Sequence, residues 1–231
     1  MATLEAHRAV SPAERPTRGA IRLAALSFDL APLQADVQRL EATDRWQRLK
    51  DGEHWDQLVL VKDDFREPLL GECPGLARAI AELPSRVVDA CLKRLGPGGF
   101  VHEHRDLVGA APMGVLRLHV PIVTHPDVEF YVSGKRLFLR SGEAWILDTS
   151  YRHNVANRSG IQRVHLVVDL ELDQTLRAML PRRDGWDSLH ALEFWLFCAW
   201  KGLAHFSEPR HLKRILRSFL NLRFKGRSML P

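Results

Sequence analysis

Between Arg86 and Leu172 the sequence is a succession of short β-rich runs with no room for a helix between them, and this spacing constrains the fold more than any other feature. The runs are RVVDACLKRL, FVHEHRD, VLRLHVPIV, VEFYV, KRLFLR, EAWILD and QRVHLVVDLEL, punctuated by Pro97-Gly98-Gly99, Ser133-Gly134 and Ser141-Gly142. Parallel strands need a long crossover, usually a helix, so closely spaced strands point to an antiparallel sandwich or jelly roll. Upstream, IRLAALSF and DQLVLVKDD read as strands, and LAPLQADVQRLEA and PGLARAIAEL as helices, the second with Pro74 near its start. Beyond Asp173 the pattern returns to helix. Leu212, Ile215, Leu216, Phe219 and Leu220 recur there at helical spacing, with basic residues on the other face.

The chain has 231 residues and 45% hydrophobic content, enough for one domain with appendages. Residues 1–20 are polar and broken by Pro12 and Pro16, so they read as a flexible leader rather than a secretory signal. Residues 21–172 form the domain and residues 173–231 a helical, basic C-terminal extension. Three scattered cysteines, Cys73, Cys91 and Cys198, support neither a disulfide framework nor a cysteine zinc site, which points to a reducing, cytoplasmic setting. The longest apolar run, FWLFCAW at 194–200, is far short of the roughly 20 residues of a membrane span and reads as a buried helix segment. The net charge of +5 is concentrated from Lys201 onward, where eight basic residues face one acid, Glu208.

Costly side chains gather in FVHEHRDLVGAAPMGVLRLHVPI, residues 100–122. On a strand, residues two apart share a face, so His104 and Asp106 point together, with His102 expected on the same face. His-x-Asp alone is weak, since His54-Trp55-Asp56 and His125-Pro126-Asp127 repeat it in settings suited to surface or capping roles. For His104 and Asp106 alone, a third histidine, His153, and then Arg163 on the next strand follow in suitable order. There Arg163, His165 and Val167 share one face and Val164, Leu166 and Val168 the other, pairing a polar interior with an apolar exterior. Two histidines and a carboxylate around a half-open metal form the arrangement of non-haem Fe(II) oxygenases.

In the motifs HRD (104–106), RLHVPI (117–122), GEAWILD (142–148), HNVAN (153–157) and QRVHLVVD (162–169), the sequence resembles the aspartyl/asparaginyl β-hydroxylase family of Fe(II)- and 2-oxoglutarate-dependent dioxygenases. The resemblance implies a mainly β chain built on a double-stranded β-helix, a cupin-like jelly roll, with flanking N-terminal helices and the C-terminal extension. It implies iron on His104, Asp106 and His153, with 2-oxoglutarate and O₂ as cosubstrates and the distal 2-oxoglutarate carboxylate on Arg163. Arg117 and His119 would complete the cosubstrate or substrate pocket. Asp106 matches the branches with a full triad and favours hydroxylation over halogenation. Lys93 stands where some members place a serine against the cosubstrate.

An unpaired guanidinium inside a barrel is expensive, so Arg163 and Arg117 each need an anion. For Arg163 the reading is 2-oxoglutarate. For Arg117 it stays open between 2-oxoglutarate, a substrate carboxylate and an internal acid. His102 reads as a supporting residue, and His165 and Asn157 as scaffold. The resemblance implies hydroxylation of an unactivated C–H in an amino acid, a peptidyl or carrier-tethered group or a related carboxylate-bearing molecule, releasing succinate and CO₂. The second reading is a cupin-like metal-binding sensor or isomerase that does not use 2-oxoglutarate, against which Arg163 counts. The basic C-terminal helix would pack on the barrel, or dock an acidic carrier protein or an anionic surface. Nucleic acid is not expected, because no aromatics interleave the basic face.

Overall fold

The computed structural model describes residues 14–50, 52–63 and 65–204. In chain order these form β1 (Glu14–Thr17), β2 (Ala20–Ser27), α1 (Leu30–Glu41), β3 (Gln47–Arg48), β4 (Gly52–Lys62), β5 (Phe65–Arg66) and α2 (Pro74–Ala81). There follow β6 (Val87–His104), β7 (Val115–Val123), β8 (Val128–Val132), β9 (Lys135–Leu137), β10 (Glu143–Leu147), β11 (His153–Asn157), β12 (Arg163–Glu171), α3 (Gln174–Ala178) and α4 (Gly185–Ala204). The basic segment 210–227, read from sequence as a helix, and residues 1–13 of the expected leader lie outside the described residues. Glu14–Thr17, also read as leader, is instead a strand paired with β2.

The strands pair antiparallel in the order β1-β2-β10-β7-β12-β6-β11-β8-β9, with β4 on the other edge of β6. One strand makes the architecture. The first half of β6 pairs with β12 (Leu95 opposite Arg163) and its last residues pair with β11 (His104 opposite His153). In step with it, β11 leads through a short loop into β12, and β7 leads into β8, so adjacent ribbons turn the same corner and the sheet folds back over itself. This is the double-stranded β-helix, or jelly roll. Pro97-Gly98-Gly99, read as a turn between two strands, is the corner inside the continuous β6. The backbones come so close there that a Cβ on Gly99 would sit 2.7 Å from the Glu53 carbonyl oxygen. Asn157 locks the same corner, its Nδ2 donating to the Leu95, Gly96 and Ile161 carbonyls at 2.9, 3.1 and 2.8 Å.

Alternation along the strands sorts side chains into two compartments. Leu116, Leu118, Val120, Ala144, Ile146, Val164, Leu166 and Val168 face outward and are buried under α1 and α2. Leu95, Val101, Phe130, Trp145, Leu147 and Val155 face into the barrel. The helices read as expected: Asp29 caps α1 by accepting from the Ala31 amide at 3.1 Å, and Pro74 opens α2. The segment FWLFCAW does lie in a helix, α4, but only partly buried: Phe194 and Cys198 pack against Leu107, Ala110 and Met113, whereas Leu196 and Trp200 are exposed. His54, expected ahead of its strand, sits within β4 at an irregularity between Glu53 and Trp55, with φ 51° and its side chain exposed.

One buried acid joins the two covering helices. Asp36 of α1 is 1% exposed, accepts a hydrogen bond from the Leu76 amide of α2 at 2.8 Å and pairs with Arg39. Asp36→Ala would strand that amide in an apolar layer and is expected to cost about 1–3 kcal/mol in urea unfolding. Arg78→Ala, which removes a solvent-exposed pair with Glu82, is expected to leave the unfolding midpoint unchanged.

Candidate metal centre

His104 ends β6 and His153 begins β11, and the β6–β11 register sets them opposite one another with ring centroids 4.3 Å apart. Asp106 lies just past β6, fixed by its amide donating to the Thr149 carbonyl at 2.9 Å. Ligand atoms of His104, Asp106 and His153 all fall within 4.8 Å of one another, and the His104 Nε2 is 3.6 Å from an Asp106 oxygen. The two imidazoles are oriented alike. His104 Nδ1 lies 2.7 Å from the His102 carbonyl and His153 Nδ1 lies 3.0 Å from the Tyr151 carbonyl. Each Nδ1 therefore carries the proton, and each Nε2 turns a lone pair to the common space. Metal-bound histidines are commonly held this way, and the donor set fits a divalent cation with open positions.

His102 contributes its carbonyl, not its ring. Four residues of β6 (Val101 to His104) face three of β11 (Val155 to His153), a β-bulge that shifts the alternation, so the His102 side chain is exposed instead of sharing the face of His104. His125 lies on an exposed connection, as expected, and Asp56 of the other His-x-Asp pair is buried between Arg94 and Arg48 as part of the scaffold.

Arg117 is saturated by acids of its own chain. Its Nε and Nη2 donate to the two oxygens of Asp169 at 2.8 and 2.9 Å, and its Nη1 pairs with Asp106. Of the partners weighed for Arg117, the internal acid is the one in place. Burial lowers the Arg117 pKa, but Asp169 and Asp106 outweigh it and leave it raised. Burial alone would raise the Asp106 pKa, yet Arg117 foremost, with His153, His104 and Lys93 around it, holds it below the usual carboxylate range. Gly109 lets the chain pass over this pair. Its φ is +79°, and a Cβ there would meet Asp169 Oδ1 at 3.0 Å and Arg117 Nε at 3.1 Å.

Arg163 opens β12 and points into the same pocket, which His119, Phe130, Leu147, Val155 and Trp55 also line. No carboxylate among the described residues pairs with it. Its Nη2 donates to His165 Nδ1 at 2.8 Å, its Nε has no partner, and burial pulls its pKa down to about 9. His165 must then carry its proton on Nε2, and His119 Nδ1 lies 3.4 Å from the same His165 nitrogen. Lys93, inward on β6, sets its ammonium 4.8 Å over the Trp55 ring, and burial lowers its pKa. Sequence reasoning did not assign Asp169 or Trp55. Asp169 shares the inward face of Arg163, His165 and Val167 two residues further on, so the alternation that revealed those three also marks it.

Two predictions follow from this geometry. His104→Ala, Asp106→Ala and His153→Ala are each expected to abolish tight anaerobic Fe(II) binding in calorimetric titration, with His54→Ala and His125→Ala unaffected. Burial holds His119 and His165 well below an unfolded histidine's pKa of about 6.5, and holds His153 down to about 4. Below about pH 6.5 the unfolded chain takes up protons that the fold refuses, so stability is lost as pH falls. Melting temperature of the metal-free protein is expected to drop between about pH 7 and about pH 5. His165→Asn, which keeps an acceptor for Arg163 without a titrating ring, is expected to flatten the slope.

The aspartyl/asparaginyl beta-hydroxylase family model matches residues 24–172. Among solved structures, the chain is similar to an oxidoreductase of the 2OG-Fe(II) oxygenase family from Burkholderia pseudomallei, at 17% identity and TM-score 0.51, covering 67% of this chain and 86% of that one. This likeness shows the fold. The chain is also similar to the non-heme alpha ketoglutarate dependent epimerase SnoN from nogalamycin biosynthesis (15% identity, TM-score 0.48, 66% and 78% of the two chains). A third similar structure is HygX from Streptomyces hygroscopicus, with nickel and 2-oxoglutarate bound (13% identity, TM-score 0.47, 66% and 82%). No curated protein matches the sequence. The family match takes in every strand from β4 to β12, and with them His104, Asp106, His153 and Arg163, so the chain belongs to the aspartyl/asparaginyl β-hydroxylase family.

Proposed function

We propose that the protein is an Fe(II)- and 2-oxoglutarate-dependent hydroxylase acting on an amino acid, a peptidyl group or a related carboxylate-bearing molecule. The observation that carries this reading is Arg163: a fully buried guanidinium with no carboxylate partner among the described residues, opening onto the pocket of the His104, Asp106 and His153 ligand set. Such a charge calls for an anion, and a planar fork suits a carboxylate. A cupin-like centre without a dicarboxylate cosubstrate would leave that charge unanswered.

Iron bound at the three ligands supplies the O₂ chemistry, coupled to conversion of 2-oxoglutarate to succinate and CO₂. The chain's own residues do the rest. The His102 and Tyr151 carbonyls aim the two histidines. Arg117 keeps Asp106 ionised and engages one of its oxygens, leaving the other to face His104. Arg163, held by His165, anchors the distal cosubstrate carboxylate, and Trp55, Phe130, Leu147 and Val155 keep water from the pocket. Lys93 supports a carboxylate-bearing substrate, because it lines both this pocket and an adjoining cavity that shares Arg117 and Val167 with it.

Arg163→Ala is expected to raise the 2-oxoglutarate requirement for succinate release by about ten- to a hundredfold while leaving Fe(II) binding intact. Arg163→Lys recovers only part of the loss. An unchanged requirement in the alanine variant would assign the arginine to the scaffold and remove the main support for this reading.

A further inference from the structure

The helix α4 presents two apolar faces, and the barrel covers only one. Phe194 and Cys198 are buried, whereas Trp186, Leu189, Leu192, Leu196 and Trp200 are 54–65% exposed. At 3.6 residues per turn these five fall within an arc of about 120°, a stripe about 21 Å long with a tryptophan at each end. Isolated exposed leucines need no explanation, but five large apolar residues on one face, interrupted only by the Arg105-paired Glu193, mark a contact surface.

The charge around the stripe is net positive. Both acids of α4 are neutralised by arginines: Asp187 by Arg15, and Glu193 by Arg105, whose Nη1 reaches both its oxygens at 2.8 Å. Asp184, just before the helix, pairs with Arg18 at 3.2 Å. Exposed Arg177 and Arg182 precede the helix, and the sequence from Lys201 onward carries eight basic residues and one acid. No helix among the described residues is long and apolar enough to cross a membrane, so α4 would lie along a bilayer rather than span it.

We propose that α4 is an interfacial helix, laying its Trp186–Trp200 stripe into the headgroup boundary of an anionic bilayer while the flanking basic residues bind the lipid headgroups. Leucines framed by tryptophans and bordered by arginine and lysine are what such a boundary accepts: rings at the headgroup level, alkyl chains below, cations against lipid phosphates. A second copy of the chain is a poorer occupant, since joining two stripes would bring two strongly basic segments of like sign together. An acidic protein would satisfy the charges but supplies no reason for the two tryptophans.

The test uses the full chain and vesicles of phosphatidylcholine with about 30% phosphatidylglycerol, alongside pure phosphatidylcholine vesicles. The protein is expected to co-sediment with the anionic vesicles, to release as salt rises towards about 0.5 M, and to show blue-shifted tryptophan emission when bound. Leu192→Glu with Leu196→Glu alters only exposed positions, so the variant is expected to keep its melting temperature and lose binding by about tenfold or more. Failure of the wild-type chain to sediment would overturn the proposal. So would equal binding to neutral vesicles, or unchanged binding by the folded variant. Concentration-dependent dimers that the variant abolishes would assign the stripe to a second copy, and binding to polyglutamate but not to vesicles would assign the surface to an acidic protein.

Discussion

The candidate metal centre depends on one interaction inside the barrel, the fork of Arg117. Its register partner across β7 and β12 is Asp169, so the pair forms directly over a sheet rung, and the remaining guanidinium nitrogen reaches Asp106 on the loop beyond β6. Three segments distant in sequence are thereby joined at one planar group. A buried ion pair is weak evidence of stability, because desolvation offsets most of the attraction. What it does supply is placement. Asp106 is not on a strand, and Arg117 is the foremost of the groups that keep its carboxylate charged beside two histidines.

Arg163 is the contrasting case. It is as deeply buried as Arg117, yet it meets a neutral imidazole where Arg117 meets two carboxylates. The two neutral histidines beside it orient the fork without quenching its charge. The barrel thus contains one arginine whose charge is answered by carboxylates of its own chain and one that meets none among the described residues. The proposed binding role of Arg163 rests on that difference, because both arginines occupy inward positions on neighbouring strands.

Much of this was legible in the sequence wherever the deciding interaction is local. Alternation along 163–168 gave the inward and outward faces of β12, and the strand-like spacing gave the antiparallel roll. His104, Asp106 and His153 came from motif order and are brought together as expected. What sequence reasoning missed depends on contacts between distant segments. Pro97-Gly98-Gly99 looks like a turn because its chemistry is that of a turn, and only the partner strands on both sides carry β6 through it. Arg117 could have met any anion until the β7–β12 register put Asp169 opposite. The apolar run in α4 looked buried because hydropathy does not record which side of a helix the rest of the chain reaches.

The bulge between Val101 and His104 gives this site an unusual sensitivity. Side-chain direction beyond it is set by how many residues lie in the interval, not by which ones, because the extra residue on β6 inverts the phase of everything that follows. His102 and Glu103 can therefore vary widely in kind, their side chains being in solvent, but a single deletion there would turn the His104 ring out of the barrel and leave the strand pairing otherwise intact. Over evolutionary time such a segment is free to drift in composition while remaining fixed in length. A change that is minor to the fold would be decisive for the chemistry.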